Sequence, residues 1–413
     1  MLKIIAIFFS VVFVFSSLTC FSNGVNKDDS LALVDLFNNT GGSLWTNKTN
    51  WLTKAPVENW FGVSVSEDRV DTLQLPSNNL TGIIPSSIGK LTGLVLLRLA
   101  GNNLYGNIPA SIGNLSNLDL IDISDNKLNG SIPAEMAGLT NVEILSLHFN
   151  QLTGTIPSSL GELKNLHALS LYNNWLEGDI PASLGNVPRL ELLFLNDNKL
   201  SGTIPAALGK HKWLQLLNLS NNQLSDTIPP SLDSLKHLFS FAISGNKFTF
   251  ASLERIAPFY NSNIFSYSPQ DEITLMTDGR WMYVSPGGTR SNNTYHLYKN
   301  DSLRATQIGD SAFRINSTGF YYITVENSKA TRITLKSFTT FVSFTPIVAT
   351  TIKAGNWNDE TIWSTGKVPD QDTDVVLKHD VTIDTDALCK SISTENHKIH
   401  VNKNVKLKVE GYL

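Results

Sequence analysis

From Val70 to Phe248 the apolar positions follow one frame of 24 residues, clearest as Leu166-x-x-Leu169-x-Leu171-x-x-Asn174-x-Leu176-x-Gly178-x-Ile180-Pro181-x-x-Leu184-Gly185. In the first half, Leu-x-x-Leu-x-Leu alternates with a period of two. That alternation puts the leucines on one side of an extended strand and the intervening residues on the other. The second half breaks the alternation. Its proline offers no N–H to a sheet, and its glycine allows the bends that return the chain. One asparagine recurs in every frame, at Asn78, Asn102, Asn126, Asn150, Asn174, Asn198, Asn222 and Asn246, with no residue inserted or lost between them. A period in the twenties predicts a solenoid, and one strand per coil at ~4.8 Å spacing predicts a parallel sheet. Each asparagine amide can bond backbone groups freed by the turn and by the neighbouring coil, so the eight are expected to form a buried structural ladder.

Flanking segments depart from this frame in ways that predict closure. Residues 28–37 carry apolar positions at helical spacing behind an acidic start, and Gly41-Gly42 ends them. Trp45, Trp51 and Trp60 follow, placed to cover the open side of the first coil; a sugar site is the sharper alternative. At the far end Asp226 replaces the glycine and His211 stands where the frame has leucine. A last half-coil and a short helix are expected after Asn246, with Phe259, Tyr260, Phe265 and Tyr267 completing the cap. Ser266 to Gln270 reads as a linker, with a boundary near 268. The period then becomes two as far as residue 345, predicting a β-sandwich. Residues 346–413 alternate similarly around Trp357 and Trp363.

The motif L-x-x-L-x-L-x-x-N-x-L-x-G-x-I-P resembles the leucine-rich repeat of the 24-residue plant-extracellular type, which also occurs in secreted bacterial proteins. The resemblance implies an α/β-solenoid that is mostly β: a right-handed leucine-rich repeat solenoid with a parallel concave sheet, followed by all-β modules. Trp60-Phe61-Gly62-Val63 resembles the N-terminal cap of such repeats. Residues 269–345 resemble a bacterial immunoglobulin-like domain, with Gly319-Phe320-Tyr321 as its tyrosine corner, and 346–413 the opening of a β-solenoid module. The expected order is therefore a signal peptide at 1–22, a cap at 23–69, repeats at 70–268, the immunoglobulin-like domain at 269–345 and an incomplete β-solenoid at 346–413.

Charge and cysteine content narrow the function. A net charge of −4 with scattered cations gives no basic stripe for nucleic acid. Lys3 followed by an apolar run from Ile4 to Phe15 reads as an export signal, too short to span a bilayer. With Cys20 in that signal, Cys389 stands alone and no internal disulfide remains. The plant repeat proteins carry cysteine pairs in their caps, so this favours the bacterial branch of the resemblance. No phosphate-binding glycine loop, H-E-x-x-H or G-x-S-x-G motif occurs. Asp370-x-Asp372-x-Asp374 begins like a calcium loop but has Val375 and Val381 where Gly and Glu belong. No catalytic residue, metal or cofactor is assigned.

The informative residues are those the frame leaves free. Outward strand positions bring Arg98 and Asp122, then His148, Phe149, Tyr172, Trp175 and Phe194, onto adjacent coils, where they should cluster on the concave side. Clustered exposed aromatics suit protein or peptide recognition, or a sugar platform. The expectation is a secreted or cell-surface, non-enzymatic recognition protein for a protein or peptide ligand. A carbohydrate-binding adhesin or accessory protein, with a polysaccharide ligand, is the alternative.

Overall fold

The computed structural model describes residues 25–257 and 265–409. These residues form two compact units: 25–257 and 265–272 with 286–293 and 325–335, and 273–285, 294–324 and 336–409. The expected signal peptide with Cys20, and the cap residues Phe259 and Tyr260, lie outside the described residues.

In the first unit, helix α1 (Lys27–Asn39) starts where the Asn26 side chain accepts from the Asp28 N–H at 2.8 Å, a cap that satisfies one free helix donor. The Asp29 carboxylate is fully buried. It accepts two bonds from Arg69, at 2.8 and 2.9 Å, and one from the Val70 N–H at 2.8 Å, so α1 is fastened to the first repeat strand. Trp45, Trp51 and Trp60 are buried and meet in edge-on and tilted contacts, with centroids 4.8 Å apart from Trp45 to Trp51 and from Trp51 to Trp60. Each indole N–H donates to a nearby carbonyl, of Thr40, Phe61 and Ala55 respectively. These tryptophans cap the solenoid and leave no ring free for sugar.

The leucine strands build one sheet of ten. Val63–Ser66 pairs antiparallel with Arg69–Gln74. From there every neighbour is parallel, through Ala168–Ser170 and Leu192–Phe194 to Ser240–Ala242 and Phe265–Ser266. The register advances by one frame per strand, Ser170 facing Phe194, so equivalent side chains stack in columns. On the outer side a tight turn follows each proline, as Ala182–Asn186 follows Pro181. The outer half also forms short parallel strands of its own, such as Glu177–Asp179 against Lys199–Ser201, which the proline-and-glycine pattern does not announce. Close stacking depends on the glycine after the frame's last leucine. A Cβ on Gly185 would stand 2.4 Å from the Ala207 carbonyl oxygen of the next coil. Where the coils end, Asp233 occupies that position and pairs with Arg255 at 2.8 Å.

The asparagines do form the ladder. The Asn150 side-chain oxygen accepts from the Leu128 N–H at 3.0 Å, and its amide donates to the Ile123 and Leu147 carbonyls at 3.1 Å, joining two coils. Six of the eight are buried, while Asn126 and Asn198 are half-buried. The ladder then continues one rung further than expected. Gln270 accepts from the Phe248 N–H at 3.1 Å and donates to the Ile243 carbonyl at 3.0 Å, the offsets used by the seven asparagines from Asn102 to Asn246. Residues 266–270 are thus the turn of a further coil rather than a linker. Helix α2 (Phe250–Ile256) covers this end. Segments 286–293 and 325–335 of the same unit pack there too. Glu254 accepts from the Thr289 N–H at 2.9 Å and from Asn327, and Arg332 lies 4.7 Å from the Tyr267 ring centre. Burial opposes the Glu254 charge, but these hydrogen bonds outweigh it and hold its pKa below the ordinary value.

The remaining chain is all β. Leu275–Asp278, Trp281–Val284 and Ala312–Arg314 form one antiparallel sheet. A second runs Ser302–Ile308, Asn293–Lys299, Gly319–Asn327, Thr334–Lys336, with Thr340–Val342 beside Gly319–Asn327. The buried Tyr321 hydroxyl donates to the Ser317 carbonyl at 2.6 Å, tying the turn to the strand it precedes. From Ile347 the strands stack in parallel in three small sheets around a core of Trp357, Trp363, Val375 and Val381. Both tryptophans are buried, 5.0 Å apart and edge to face, so they are structural here and offer no sugar platform. The acidic run is divided among separate partners: Asp372 pairs with Arg280 and Arg314, and Asp374 with Lys390. Opposite charge thus faces Asp372 and Asp374.

Candidate functional site

Because the leucines occupy the inner side of each strand, three columns point outward on the concave face. The last of these carries His148 and Tyr172, and it meets the turn residue Phe149. The His148 and Tyr172 rings lie parallel, 4.4 Å apart with 11° between their planes. Phe149 stands edge-on to Tyr172 at 5.2 Å, and Tyr172 reaches Phe194 of the next coil at 6.0 Å. Four of the expected residues thus form one chain of ring contacts across three coils. Phe149 is 48% exposed and holds a left-handed backbone, φ 51°, an unusual conformation for an aromatic residue. That geometry swings its ring out of the strand direction and toward Tyr172.

Arg98 and Asp122, two and one coils back from His148, face each other at 3.9 Å. Asp122 also accepts from the Ser124 hydroxyl at 2.6 Å. Trp175 behaves differently. It follows the buried Asn174, beyond the turn that ends the concave strand, and is 50% exposed. Among the described residues no ring packs on it, so the structure leaves it outside the cluster.

Electrostatically the site is poised toward the negative. Burial against the rings lowers the His148 pKa, and the nearby Asp122 and Asp125 oppose that shift without cancelling it. Burial, with help from Asp122, raises that of Tyr172. Both groups are therefore neutral at pH 7. Three polar atoms of this face are shielded from solvent without a hydrogen-bond partner: Arg98 Nε, His148 Nδ1 and Asn196 Oδ1. Such atoms are costly unless a bound group satisfies them.

Residues 69–91, 93–115, 141–163, 165–187, 189–211 and 213–235 match the family model described as Leucine Rich Repeat. The fold is a leucine-rich repeat solenoid. Among solved structures, a plant ice-binding protein is 27% identical with a TM-score of 0.53, the match covering 60% of this chain and 81% of that one. The plant peptide hormone receptor RGFR1, in complex with RGF2, is 40% identical over 43% of this chain and 28% of its own, at a TM-score of 0.42. The Arabidopsis receptor kinase HAESA, in complex with the peptide hormone IDA and the co-receptor SERK1, is 28% identical over 60% of this chain and 46% of its own, at 0.47. The chain thus spans less than half the length of either receptor. No curated protein matches it in sequence.

The leucine-rich repeat frame also exposes a row that the sequence reading passed over. The position just before the first strand leucine points outward by the same period-two rule. It holds Leu96, Leu120, Ile144, Leu192 and Leu216, all partly or well exposed. This aliphatic row runs parallel to the aromatic one. Its signal was in the sequence, hidden because leucines beside core leucines read as core.

Proposed function

We propose that this leucine-rich repeat protein recognises a protein or peptide on its concave face. The carrying observation is the continuous cluster of His148, Phe149, Tyr172 and Phe194, bordered by the aliphatic row and by polar atoms lacking partners. Aromatic anchors in a desolvated centre contribute most of the energy in protein interfaces. An extended peptide laid across the coils would run along these columns and meet one strand after another. The all-β segments after the solenoid act as spacers or attachments in this reading, 269–345 as an immunoglobulin-like domain and 346–413 as a β-solenoid module. The protein works outside the cell or at its surface after export by residues 1–22, without catalysis. Panning a displayed random peptide library on the full chain tests the reading. Tyr172→Ala and Phe194→Ala should each weaken the selected peptides by about 2 kcal/mol or more, while Trp175→Ala leaves them bound. Peptides indifferent to both ring variants would remove the concave face from consideration.

A second reading rests on the likeness to the plant ice-binding protein. Outer-side residues Thr153 and Thr155, Ser201 and Thr203, and Ser225 and Thr227 recur by coil, with Thr155, Thr203 and Thr227 exposed. Regular hydroxyl rows on stacked strands suit an ordered water lattice, though Glu177 and Asp179 interrupt them. Recrystallisation of ice in the presence of the full chain decides: unchanged grain growth rules this reading out.

A further inference from the structure

We propose that the concave face selects a cationic partner, a peptide segment whose lysine or arginine seats against the Phe149 and Tyr172 rings beside the carboxylates of Asp122 and Asp125. The proposal rests on the recognition reading above and adds the chemistry of its ligand. Two independent observations meet at one place. The first is the ring geometry: Phe149 stands edge-on to Tyr172 at 5.2 Å with about half its surface exposed, which leaves ring surface for a cation. The second is charge. On the outward columns and the positions flanking them, 71–77 and its equivalents in the eight coils, stand Asp71, Asp119, Asp122, Asp125, Glu143, Glu191 and Asp197, whereas Arg98 is the single lysine or arginine there, and it faces Asp122 at 3.9 Å. Asp122 and Asp125 are both close enough to His148 to act on its charge. A cation there gains from ring faces and carboxylates together, and the ring-lined surface excludes part of the water that would screen it. An anionic ligand, whether nucleic acid or acidic polysaccharide, meets repulsion along the same face. A neutral sugar could use the rings but would leave the carboxylates without a role.

The repeat itself supplies harmless test variants. Asp125 has φ 51°, and Asn173 and Asn221 hold the equivalent turn at φ 52° and 54°. Asn218 occupies the Asp122 column and accepts from the Ser220 hydroxyl at 2.7 Å, as Asp122 does from Ser124 at 2.6 Å. Asp122→Asn with Asp125→Asn therefore keeps the local hydrogen bonds and removes only charge; an unchanged melting temperature verifies this. Displayed random peptides are selected on the full wild-type chain and sorted for those lost by Phe149→Ala with Tyr172→Ala. The expected result is that these ring-dependent peptides are rich in lysine or arginine. They should bind at least about tenfold more weakly to the double asparagine variant, and weaken as salt rises from about 50 to about 500 mM. Ring-dependent peptides that are neutral, or that bind the asparagine variant equally well, overturn the cationic proposal and leave the recognition reading standing. If no selected peptide depends on the rings, both fall.

Discussion

At the residue scale, the same imidazole serves different ends according to its column. His148 lies on the concave side, stacked on Tyr172. His211 replaces a frame leucine and is buried, its Nε2 without a partner. Burial lowers the His211 pKa, and hydrogen bonds with Val187 and Leu184 only partly oppose this. A histidine whose folded pKa lies below its unfolded value of about 6.5 favours folding in its neutral form. That contribution is complete above the unfolded pKa and is lost as pH falls from about 6.5 toward the folded value. Denaturant midpoints measured between pH 8 and pH 5 should therefore fall in the wild type and fall less in His211→Leu. Equal slopes in the two proteins would show that the ring is not held neutral. The departure at His211 was visible in the sequence because the frame is strict. Its burial was not, since a polar replacement in a late, degraded coil reads equally well as a fraying end.

At the scale of the element, strand pairing joins each coil to its neighbour, and one recurring side chain adds bonds where the strand ends. Replacing Asn150 by alanine strands the Leu128 N–H and the Ile123 and Leu147 carbonyls in a buried site. Each unsatisfied buried group costs about 1–3 kcal/mol. Asn198 makes the same bonds, at 3.0 Å to the Leu176 N–H and to the Leu171 carbonyl, but is half-buried, so water can replace part of what is lost. Asn150→Ala should accordingly lower the chemical denaturation midpoint more than Asn198→Ala, by about 1 kcal/mol or more in stability. Comparable losses would mean that solvent does not reach the half-buried rung.

The repeat strands and ladder could be read in advance because every frame restates the same constraint, and eight statements leave no alternative. Sequence reasoning failed where a single copy had to be judged. Gln270 is one methylene longer than the asparagine it stands in for, and Ser268-Pro269 before it resembles a linker. Trp175 lies one residue beyond the ladder asparagine, so the period-two rule that holds for Tyr172 no longer governs it. The candidate site was legible to the extent that columns were: Phe149, Tyr172 and Phe194 met as expected. The aliphatic row beside them was hidden by its likeness to core.

At the scale of the whole molecule, distant segments close what local sequence leaves open. Three tryptophans and α1 cover one end of the repeats, and α2 with segments 286–293 and 325–335 covers the other. In the final all-β segment, Trp357 and Trp363 are buried only because strands far apart in sequence stack around them. Cys389 shares that core, and burial, aided by Asp374, pushes its thiol up to about 11. A thiol-reactive dye at pH 8 should label the native chain at least about a hundredfold more slowly than the denatured one, because an unperturbed cysteine ionises near 8.5. Fast native labelling would mean that this core opens readily.

The extra rung at Gln270 has a consequence for anyone dividing the protein. A chain cut near 268, where the sequence invites the cut, would lose the side chain that closes the last coil, together with the contacts of Thr289, Asn327 and Arg332. The bared Phe248 N–H and Ile243 carbonyl, beside aromatic rings meant to be covered, would form an adhesive end. Self-association of such a truncated product would then imitate ligand binding, while the undivided chain gives the true signal.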